Sequence, residues 1–135
     1  MLTKKTRYAI MALVVLAREY EKEPVAISRI AKGEHIPQRF LEGILLNLKR
    51  HGIINSTRGK DGGYYLIKNP TTISLLDIII FMEDGVRTLP CICGEEAPEC
   101  EFCNKEIECS IKNVFRNIYN YSTDTLRNTT LSNLI

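Results

Sequence analysis

Residues 26–68 read AISRIAKGEHIPQRFLEGILLNLKRHGIINSTRGKDGGYYLIK, and this stretch decides the fold. It predicts a short helix over Ala26–Lys32, with Gly33 as its C-terminal cap, and a further helix that has Pro37 in its first turn. In the further helix apolar residues recur with the helical period: Phe40, Leu41, Ile44, Leu45 and Leu48. Two short helices joined by a tight turn, the second with a polar outer side, form the helix-turn-helix pattern.

The residues after these two helices are typical of a β-hairpin. The pair His51-Gly52 is expected to end the second helix, and two β-rich runs follow, over Ile53–Thr57 and Tyr64–Lys68. The six residues between the runs contain three glycines and two cations, Arg58 and Lys60, so they predict a flexible and basic hairpin tip. A basic hairpin directly after a helix-turn-helix predicts the wing of a winged helix-turn-helix domain.

The chain before the helix-turn-helix predicts a long apolar helix, from about Thr6 to Glu21. A helix that is hydrophobic on nearly all sides must be covered twice, and we expect a partner subunit to supply the second cover. The apolar run over residues 8–17 is shorter than the ~20 residues that span a bilayer. Arg18 and Glu19 stand where a signal peptide would have small residues, so we expect no leader, no membrane span and a cytoplasmic protein.

The chain after the wing is predicted to return to helix. Ile73–Glu83 predicts a fourth helix, capped by Ser74 with Asp77 three residues later. The segment from Lys105 to about Tyr121 predicts a long helix whose apolar side again requires a partner. A last short helical turn is expected within residues 129–135.

Charge is divided unequally along the chain. Residues 1–68 carry 13 Lys and Arg against 6 Asp and Glu, a net charge of +7, whereas residues 69–135 carry 5 against 10, a net charge of −5. A basic front half fits a polyanion, so any nucleic-acid surface is expected there. The sequence offers no set of nucleophile and base and no cofactor cradle, so we expect neither an enzyme nor a small-molecule substrate.

All five cysteines fall in one short segment with the pattern C-x-C-x6-C-x2-C-x5-C: Cys91, Cys93, Cys100, Cys103 and Cys109. Thiols so closely spaced indicate a metal site or redox chemistry, because core cysteines would be scattered. Structural disulfides are rare in the cytosol, and an odd number weakens a pure disulfide framework. Three readings stay open: an iron–sulfur cluster, a zinc site built from four of the thiolates, and a thiol switch without metal.

Motifs at the start of the first helix, around the helix-turn-helix turn and in the wing together indicate a family. They are Leu2-Thr3 with Arg7-Tyr8-Ala9, Ile36-Pro37 with Phe40-Leu41-Glu42, and Ser56 with Arg58-Gly59, Gly62-Gly63-Tyr64 and Leu66. These motifs closely resemble the Rrf2 (Rrf-two) family of bacterial winged-helix regulators, which includes iron–sulfur cluster and nitric-oxide responsive regulators of the IscR and NsrR kind. The resemblance implies a transcription regulator that acts as a homodimer on a two-fold site in double-stranded DNA. It implies that the first helix and the long helix after the cysteines join the two subunits.

The resemblance also implies which thiols bind iron. In cluster-binding relatives three cysteines are ligands and the last two have the spacing C-x5-C, which Cys103 and Cys109 share. The position six residues before Cys103 is Ala97, so the third ligand must come from elsewhere in the segment. The remaining candidates, in order of preference, are Cys93, Cys91 and Cys100.

Cys100 is the candidate for a fourth ligand in place of a histidine, with a spare thiol as the alternative. The 2Fe–2S relatives have a histidine three residues after the last cysteine, where this chain has Lys112. The two histidines, His35 and His51, are expected to be a turn residue and a helix-end cation. We therefore expect either a 2Fe–2S or a 4Fe–4S cluster, with zinc as the alternative.

The residues expected to contact DNA lie at the start of the first helix, on the polar side of the second helix of the helix-turn-helix, and in the wing. They are Thr3, Lys4, Arg7, Gln38, Arg39, Glu42, Lys49, Arg50, Ser56, Arg58, Gly59, Lys60, Gly62 and Tyr64. Arg58 and Lys60 suit phosphates or a narrow minor groove, with solvated charge on a hairpin tip as the alternative. Gln38 and Arg39 suit base edges, with a merely solvated surface as the alternative. Glu42 is expected to tune sequence preference, with a surface ion pair as the alternative.

The chain is thus predicted to be mainly α with a small β-hairpin wing (α+β), a winged helix-turn-helix with a long dimerisation helix. Its predicted parts are a winged helix-turn-helix DNA-binding domain over residues 1–85, a cysteine-rich cluster-binding loop over residues 86–104, and a dimerisation helix with the C-terminal tail over residues 105–135.

Overall fold

The structure, a computed structural model, describes residues 2–83 and 110–135. In these ranges the chain forms five α-helices and a two-stranded antiparallel sheet. In chain order they are α1 (Lys4–Arg18), α2 (Ile27–Gly33), α3 (Gln38–Arg50), β1 (Ile54–Thr57), β2 (Gly63–Leu66), α4 (Leu75–Glu83) and α5 (Ser110–Asn128), with 3-10 helices at Pro70–Thr72 and Leu131–Leu134. The mainly helical winged fold predicted from the sequence is confirmed. No helix within the described ranges is long and apolar enough to cross a membrane.

Helix α1 lies at the centre of the core. Ala9, Ala12 and Leu13 are fully buried, and the helix packs against α3, α4, β2 and the C-terminal 3-10 helix. The helix ends at Arg18, three residues before the predicted end. The chain turns there because Val25 must reach β2, where its N–H and carbonyl both pair with Tyr64 at 2.8 Å.

The turn of the helix-turn-helix differs in register from the prediction. Gly33 is the last residue of α2 and not its cap, and the left-handed backbone position is taken by His35, with φ of 54°. The reason is the buried Ile36, whose N–H donates to the carbonyl of Ala31 at 2.9 Å. This bond is typical of a helix end closed by an apolar residue, and it sets the left-handed residue one position before Ile36.

The start of α3 is also shifted by one residue. Pro37 is the N-cap residue and does not lie in the first turn as predicted, since α3 begins at Gln38. Its fixed φ of −58° still suits the entry into a helix.

The end of α3 is where the sequence predicted it. His51 caps the helix, and Gly52 follows with φ of 72°. The N–H of Gly52 donates to Lys49 and the N–H of Ile53 to Leu48. Because the N–H of Ile53 is bonded to the end of α3, β1 begins at residue 54 and not at residue 53.

The wing is held to the body of the protein by close backbone contacts. β1 and β2 pair from Ile54 with Leu66 to Thr57 with Gly63, so β2 begins one residue earlier and ends two residues earlier than predicted. A Cβ atom on Gly63 would lie 2.4 Å from the carbonyl oxygen of Val25. Glycine is therefore required at this position by the approach of two backbones.

The capping of α4 is confirmed, although the helix begins at Leu75, two residues later than predicted. The N–H of Asp77 donates to the Ser74 hydroxyl at 3.1 Å, and the N–H of Ser74 donates to the Asp77 carboxylate at 3.2 Å. The C-terminal tail then covers this end of α4. Leu131 is fully buried and its N–H donates to the carbonyl of Ile73 at 3.0 Å.

Helix α5 runs to Asn128, seven residues beyond the predicted end. The apolar stripe that predicted this helix from the sequence ends near Tyr119, but local bonds hold the last turns. Among them are an ion pair of Arg127 with Asp124 at 2.9 Å and the bond from the Thr125 hydroxyl to the carbonyl of Tyr121. The predicted start of this helix, over residues 105–109, and the irregular loop predicted for the cysteines lie outside the described residues.

Two glycines test the packing of the wing. Gly63→Ala is expected to lower the free energy of unfolding by about 1–3 kcal/mol, because its methyl group would overlap Val25. Gly43→Ala is the matched control: Gly43 lies inside α3 with no atom within 4 Å of the added Cβ, and the change should raise stability by about 0.5–1 kcal/mol. Urea unfolding of both variants measures the difference, and equal stability of the two would contradict the packing argument.

Candidate nucleic-acid interface

Helix α3 has one buried and one exposed side, as predicted. Its buried residues are Leu41, Ile44, Leu45 and Leu48. Its exposed residues include all the predicted DNA contacts of this helix: Gln38, Arg39, Glu42, Lys49 and Arg50. Phe40 is the exception, because it was predicted to be part of the apolar stripe and is 45% exposed. It lies at the edge of the stripe and packs its ring edge-on against Tyr8, with 5.8 Å between ring centroids.

Two further residues lie in the middle of the exposed side of α3. Gly43 and Leu46 follow Arg39 by four and seven residues, and residues at these spacings share one side of a helix. Leu46 is an exposed apolar residue, while Gly43 presents only backbone. The sequence prediction omitted both because neither is charged, although their spacing from Arg39 was readable.

The wing presents its cations at an exposed tip. Arg58 and Lys60 are both exposed. Gly59 has φ of 112°, and its carbonyl accepts the N–H of Gly62 at 3.1 Å, which closes the tip. A Cβ atom on Gly62 would lie 2.5 Å from the carbonyl of Thr57, so both glycines shape the turn that carries the cations.

The base of the wing is tied to α3. The Lys49 ammonium donates to the Ser56 hydroxyl at 2.8 Å, which joins two predicted DNA contacts to each other. Tyr64 is half-buried and packs against the core, and its backbone pairs with Val25. The three remain predicted DNA contacts, and the structure gives each of them a role in holding the wing.

The start of α1 is built around a carboxylate from the other end of the domain. Thr3 is the N-cap residue, and its hydroxyl accepts the N–H of Thr6 at 3.2 Å. Glu83, the last residue of α4, accepts the N–H of Thr3 at 2.8 Å and the hydroxyl of Thr6 at 2.6 Å. Lys4 and Arg7 in the same turn are exposed, so Glu83 fixes the backbone from which these two cations project.

These hydrogen bonds keep Glu83 ionised. The hydroxyl of Thr6 and then the backbone N–H of Thr3 lower the pKa of Glu83 from its ordinary value of 4.5. A carboxylate beside the first turn of a helix is also favoured by the helix dipole. No pattern in the sequence pointed to this contact, because Thr6 and Glu83 are 77 residues apart.

A second contact joins α4 to the end of α3. The ring of His51 stacks on Phe81 with 4.7 Å between centroids and 16° between planes. Helix α4 thus contacts the first turn of α1 through Glu83 and the last turn of α3 through Phe81.

The predicted DNA-contacting cations have no acidic partners within the described residues. The ion pairs found there join Arg29 to Glu19 at 3.5 Å and Arg127 to Asp124. Lys4, Arg7, Arg39, Arg50, Arg58 and Lys60 take part in neither. Glu42 is likewise outside both pairs, so the alternative of a surface ion pair for Glu42 is not observed in this part of the chain. The unpaired cations leave the surface basic.

The predicted metal ligands lie outside the described residues, since all five cysteines fall within residues 84–109. In the described ranges no three His, Cys, Asp or Glu side chains are grouped so that they could hold a metal ion. Cys109 directly precedes Ser110, the first residue of α5.

The sequence model of the Rrf2 family, described as an iron-dependent transcriptional regulator, matches residues 2–135. The chain belongs to the Rrf2 family. This Rrf2 protein is 35% identical to an HTH-type transcriptional regulator of Rhodobacter capsulatus named rrf2-like. The alignment spans 122 residues, which are 88% of this chain and 81% of that protein. It is 31% identical to the HTH-type regulator IscR of Pectobacterium atrosepticum, over 99% of this chain and 78% of that protein.

Solved structures share the fold of this Rrf2 protein. CymR of B. subtilis, called the global cysteine regulator, has a TM-score of 0.83 and 24% identity, and 99% of this chain and 95% of that chain are covered. CymR of Staphylococcus aureus has a TM-score of 0.77 and 26% identity, with 98% and 95% covered. IscR of T. potens has a TM-score of 0.75 and 24% identity, with 99% and 85% covered. The family match, and not the shared fold, shows that the chain is a DNA-binding transcriptional regulator and not an enzyme.

The bonds of Glu83 lead to a prediction about acid. A carboxyl whose pKa is lowered on folding stabilises the protein above its unfolded pKa, and this contribution is lost as the pH falls through the folded value. Glu83→Gln should therefore lower the free energy of unfolding by about 1 kcal/mol at pH 7, since the carboxylate is partly solvated. Below the lowered pKa the difference from the unchanged protein should vanish.

Thermal unfolding at pH 7 and at pH 3 provides the measurement. Glu23→Gln is the control, because it removes an exposed carboxylate that has no side-chain hydrogen bond or ion pair within the described residues. A loss of the same size at both pH values, or the same loss in both variants, would contradict the role of the ionised carboxylate.

Proposed function

We propose that this Rrf2 regulator binds a two-fold site in double-stranded DNA as a homodimer, and that an iron–sulfur cluster bound by the cysteine segment modulates this binding. The proposed parts are a DNA-binding domain over residues 1–85, a cluster-binding loop over residues 86–104, and a dimerisation helix with its tail over residues 105–135. As a transcription regulator that binds DNA, the protein would act in the cytoplasm. The observation that supports DNA binding most directly is the set of exposed cations on α1, α3 and the wing that have no acidic partner among residues 2–83 and 110–135.

The cations and polar groups would divide the work of binding. Phosphate contacts set the position of the protein on the duplex and carry little sequence information, whereas base contacts determine which DNA sequence is preferred. Arg58 and Lys60 at the wing tip would bind phosphates or enter a narrow minor groove. Gln38 and Arg39 in the first turn of α3 would reach base edges, because this end of a recognition helix enters the major groove. The remaining predicted contacts would bind the DNA backbone on either side of the bases that α3 reaches.

Glu42 would act mainly on selectivity. It is exposed one turn after Gln38 and has no ion pair within the described part of the chain. A carboxylate facing DNA can accept a hydrogen bond from the amino group of cytosine and repels phosphates elsewhere. Its presence would thus lower affinity for most sequences more than for the preferred one.

Dimerisation is supported by the exposed side of α5. Val114, Ile118 and Tyr121 are 58%, 54% and 77% exposed, and their spacing puts them on one side of the helix. A contiguous apolar stripe of this kind indicates a surface that another chain covers. In α1, Ile10, Met11 and Val14 are only half-buried, in line with the second cover predicted for that helix.

The chemistry of the cysteine segment fits an iron–sulfur cluster. Thiolates are the usual protein ligands of such clusters, and the segment supplies five of them. When bound, the cluster would supply a centre that responds to redox conditions or nitric oxide. Because Cys109 is directly bonded to the first residue of α5, a ligand there would connect occupancy of the site to the proposed dimer helix. Altered dimer geometry would change the spacing of the two α3 helices and hence DNA affinity.

A zinc-stabilised or thiol-based regulator is the second candidate. The four thiolates Cys91, Cys93, Cys100 and Cys103 would complete a closed tetrahedral zinc site. Zinc would then stabilise the dimer without responding to redox conditions.

Arg58→Ala tests DNA binding. If the guanidinium binds a phosphate, the variant should bind duplex DNA more weakly for all sequences, and the slope of log affinity against log salt should shrink by about one for each chain, and so by about two for the dimer. Titration at several salt concentrations measures both quantities, and sedimentation of the complex should give two chains per duplex. Arg127→Ala is the matched control, because Arg127 is an exposed arginine on α5 that already pairs with Asp124. Equal salt slopes for the two variants would remove Arg58 from the interface.

Single Cys→Ala variants test the cluster. After anaerobic purification, Cys103→Ala and Cys109→Ala should lose nearly all iron and sulfide, whereas changes at the other three cysteines should cause smaller and graded losses. Ser110→Ala, directly after Cys109, serves as the control. Full cluster content in all five variants, or an unchanged protein that contains only zinc, would show that the iron–sulfur proposal is wrong.

A further inference from the structure

An open pocket of about 430 Å³ lies between the first turns of α1 and α3. It is lined by Lys4, Tyr8, Pro37, Arg39 and Phe40. Two of these residues, Lys4 and Arg39, belong to the predicted DNA contacts, whereas the two aromatic residues do not. The pocket therefore joins two helices that the sequence prediction treated as separate contact points.

The walls of the pocket combine aromatic surface with positive charge. Tyr8 and Phe40 meet edge to face at 81°, and the Lys4 ammonium lies 5.9 Å from the centroid of the Tyr8 ring. Attraction between a cation and a ring face holds Lys4 towards the pocket. Phe40 is 45% exposed, which is unusual for a phenylalanine on an otherwise well-buried apolar stripe.

The charge of the pocket is not neutralised within the described part of the chain. No acidic side chain lines it, and neither Lys4 nor Arg39 has an ion pair there. Pro37 caps α3 without a side-chain hydrogen bond, and the first turn of α3 has no acidic residue. The positive end of the helix dipole thus adds to the two cations. An anion that also presents an apolar surface fits these walls.

We propose that this pocket binds one backbone phosphate of double-stranded DNA together with its deoxyribose. Lys4 and Arg39 contact the phosphate, and Phe40, supported by Tyr8, packs on the sugar. This proposal rests on the proposed function, because it names the part of the DNA that this surface receives. The pocket borders the exposed side of α3 at the end that enters the major groove, where a DNA strand passes close by. A second copy of the chain is disfavoured as the occupant, since two such pockets would bring like charges together.

As a consequence, α1 and α3 contact the same nucleotide of one DNA strand. Phe40 then acts as a positioning residue, because its contact with the sugar fixes how α3 sits in the groove. Loss of the ring should weaken binding without changing the number of phosphates neutralised, whereas loss of both cations should reduce that number.

The test uses the full chain and a duplex selected by this protein from a random-sequence pool. Phe40→Ala should lower affinity about tenfold with an unchanged salt slope, because apolar area and no charge is lost. Phe40→Tyr keeps the ring and should restore affinity. Replacing both cations, Lys4→Ala together with Arg39→Ala, should lower affinity and reduce the salt slope by about one for each chain, and so by about two for the dimer. Ile67→Ala, an apolar residue with comparable exposure at the end of β2, is the matched control.

A second measurement locates the phosphate. Single phosphates of the selected duplex are replaced by neutral methylphosphonates. Replacement at one position in each half-site should weaken binding of the unchanged protein. The Lys4→Ala, Arg39→Ala double variant should bind the duplex equally well with and without that replacement. Melting temperatures show whether each variant is folded. Because Arg39 is exposed, its replacement should leave the packing of the core unchanged. Phe40→Ala binding as tightly as Ile67→Ala, or a double variant that still senses every phosphate, overturns the proposal. Failure of the unchanged protein to retain any duplex would instead overturn the proposed function.

Discussion

The burial of α1 is the constraint on which the rest of the described structure depends. Ala9 and Ala12 are small and fully buried, so α3, α4 and β2 can all approach this one helix closely. The start of α1, the recognition helix and the wing are thereby fixed to a common support. A DNA surface made of three separate elements needs such a support, because its contacts must keep their spacing when the duplex binds.

Helix α4 carries this support towards the cysteine segment. Its last described residue, Glu83, binds the first turn of α1, while Phe81 stacks on His51 at the end of α3. A displacement of this end of α4 would therefore act on two parts of the DNA surface at once. Residue 84 follows directly in the chain, so on the proposed function the bonds of Glu83 and the stacking of Phe81 would connect the cysteine segment to the helices that carry the predicted DNA contacts.

The fold was predictable from periodicity and the site only in part. The apolar spacing in α3, the His51-Gly52 stop and the Ser74–Asp77 cap are local signals, and each was read correctly. Errors arose for two different reasons. His35 and not Gly33 takes the left-handed position because the N–H of Ile36 bonds to the carbonyl of Ala31, a local signal that the prediction missed. The contact of Phe40 with Tyr8 joins segments that are far apart in sequence, so no short window of residues contains it.

On the proposed interface, affinity and selectivity would come from different residues. Lys4, Arg7 and Arg58 are exposed and have no acidic partner in the described part of the chain, so binding to a polyanion should be strong at low salt and tolerant of sequence. Few exposed groups on α3 can distinguish bases, because Gly43 and Leu46 occupy the centre of its outer side and offer no hydrogen-bonding side chain. Discrimination by direct hydrogen bonds then falls to the first turns of α3, where Gln38, Arg39 and Glu42 lie beside the pocket. A contact that fixes the position of α3 at this end would thus matter more for selectivity than one at its far end, because small shifts there move every base-reading group together.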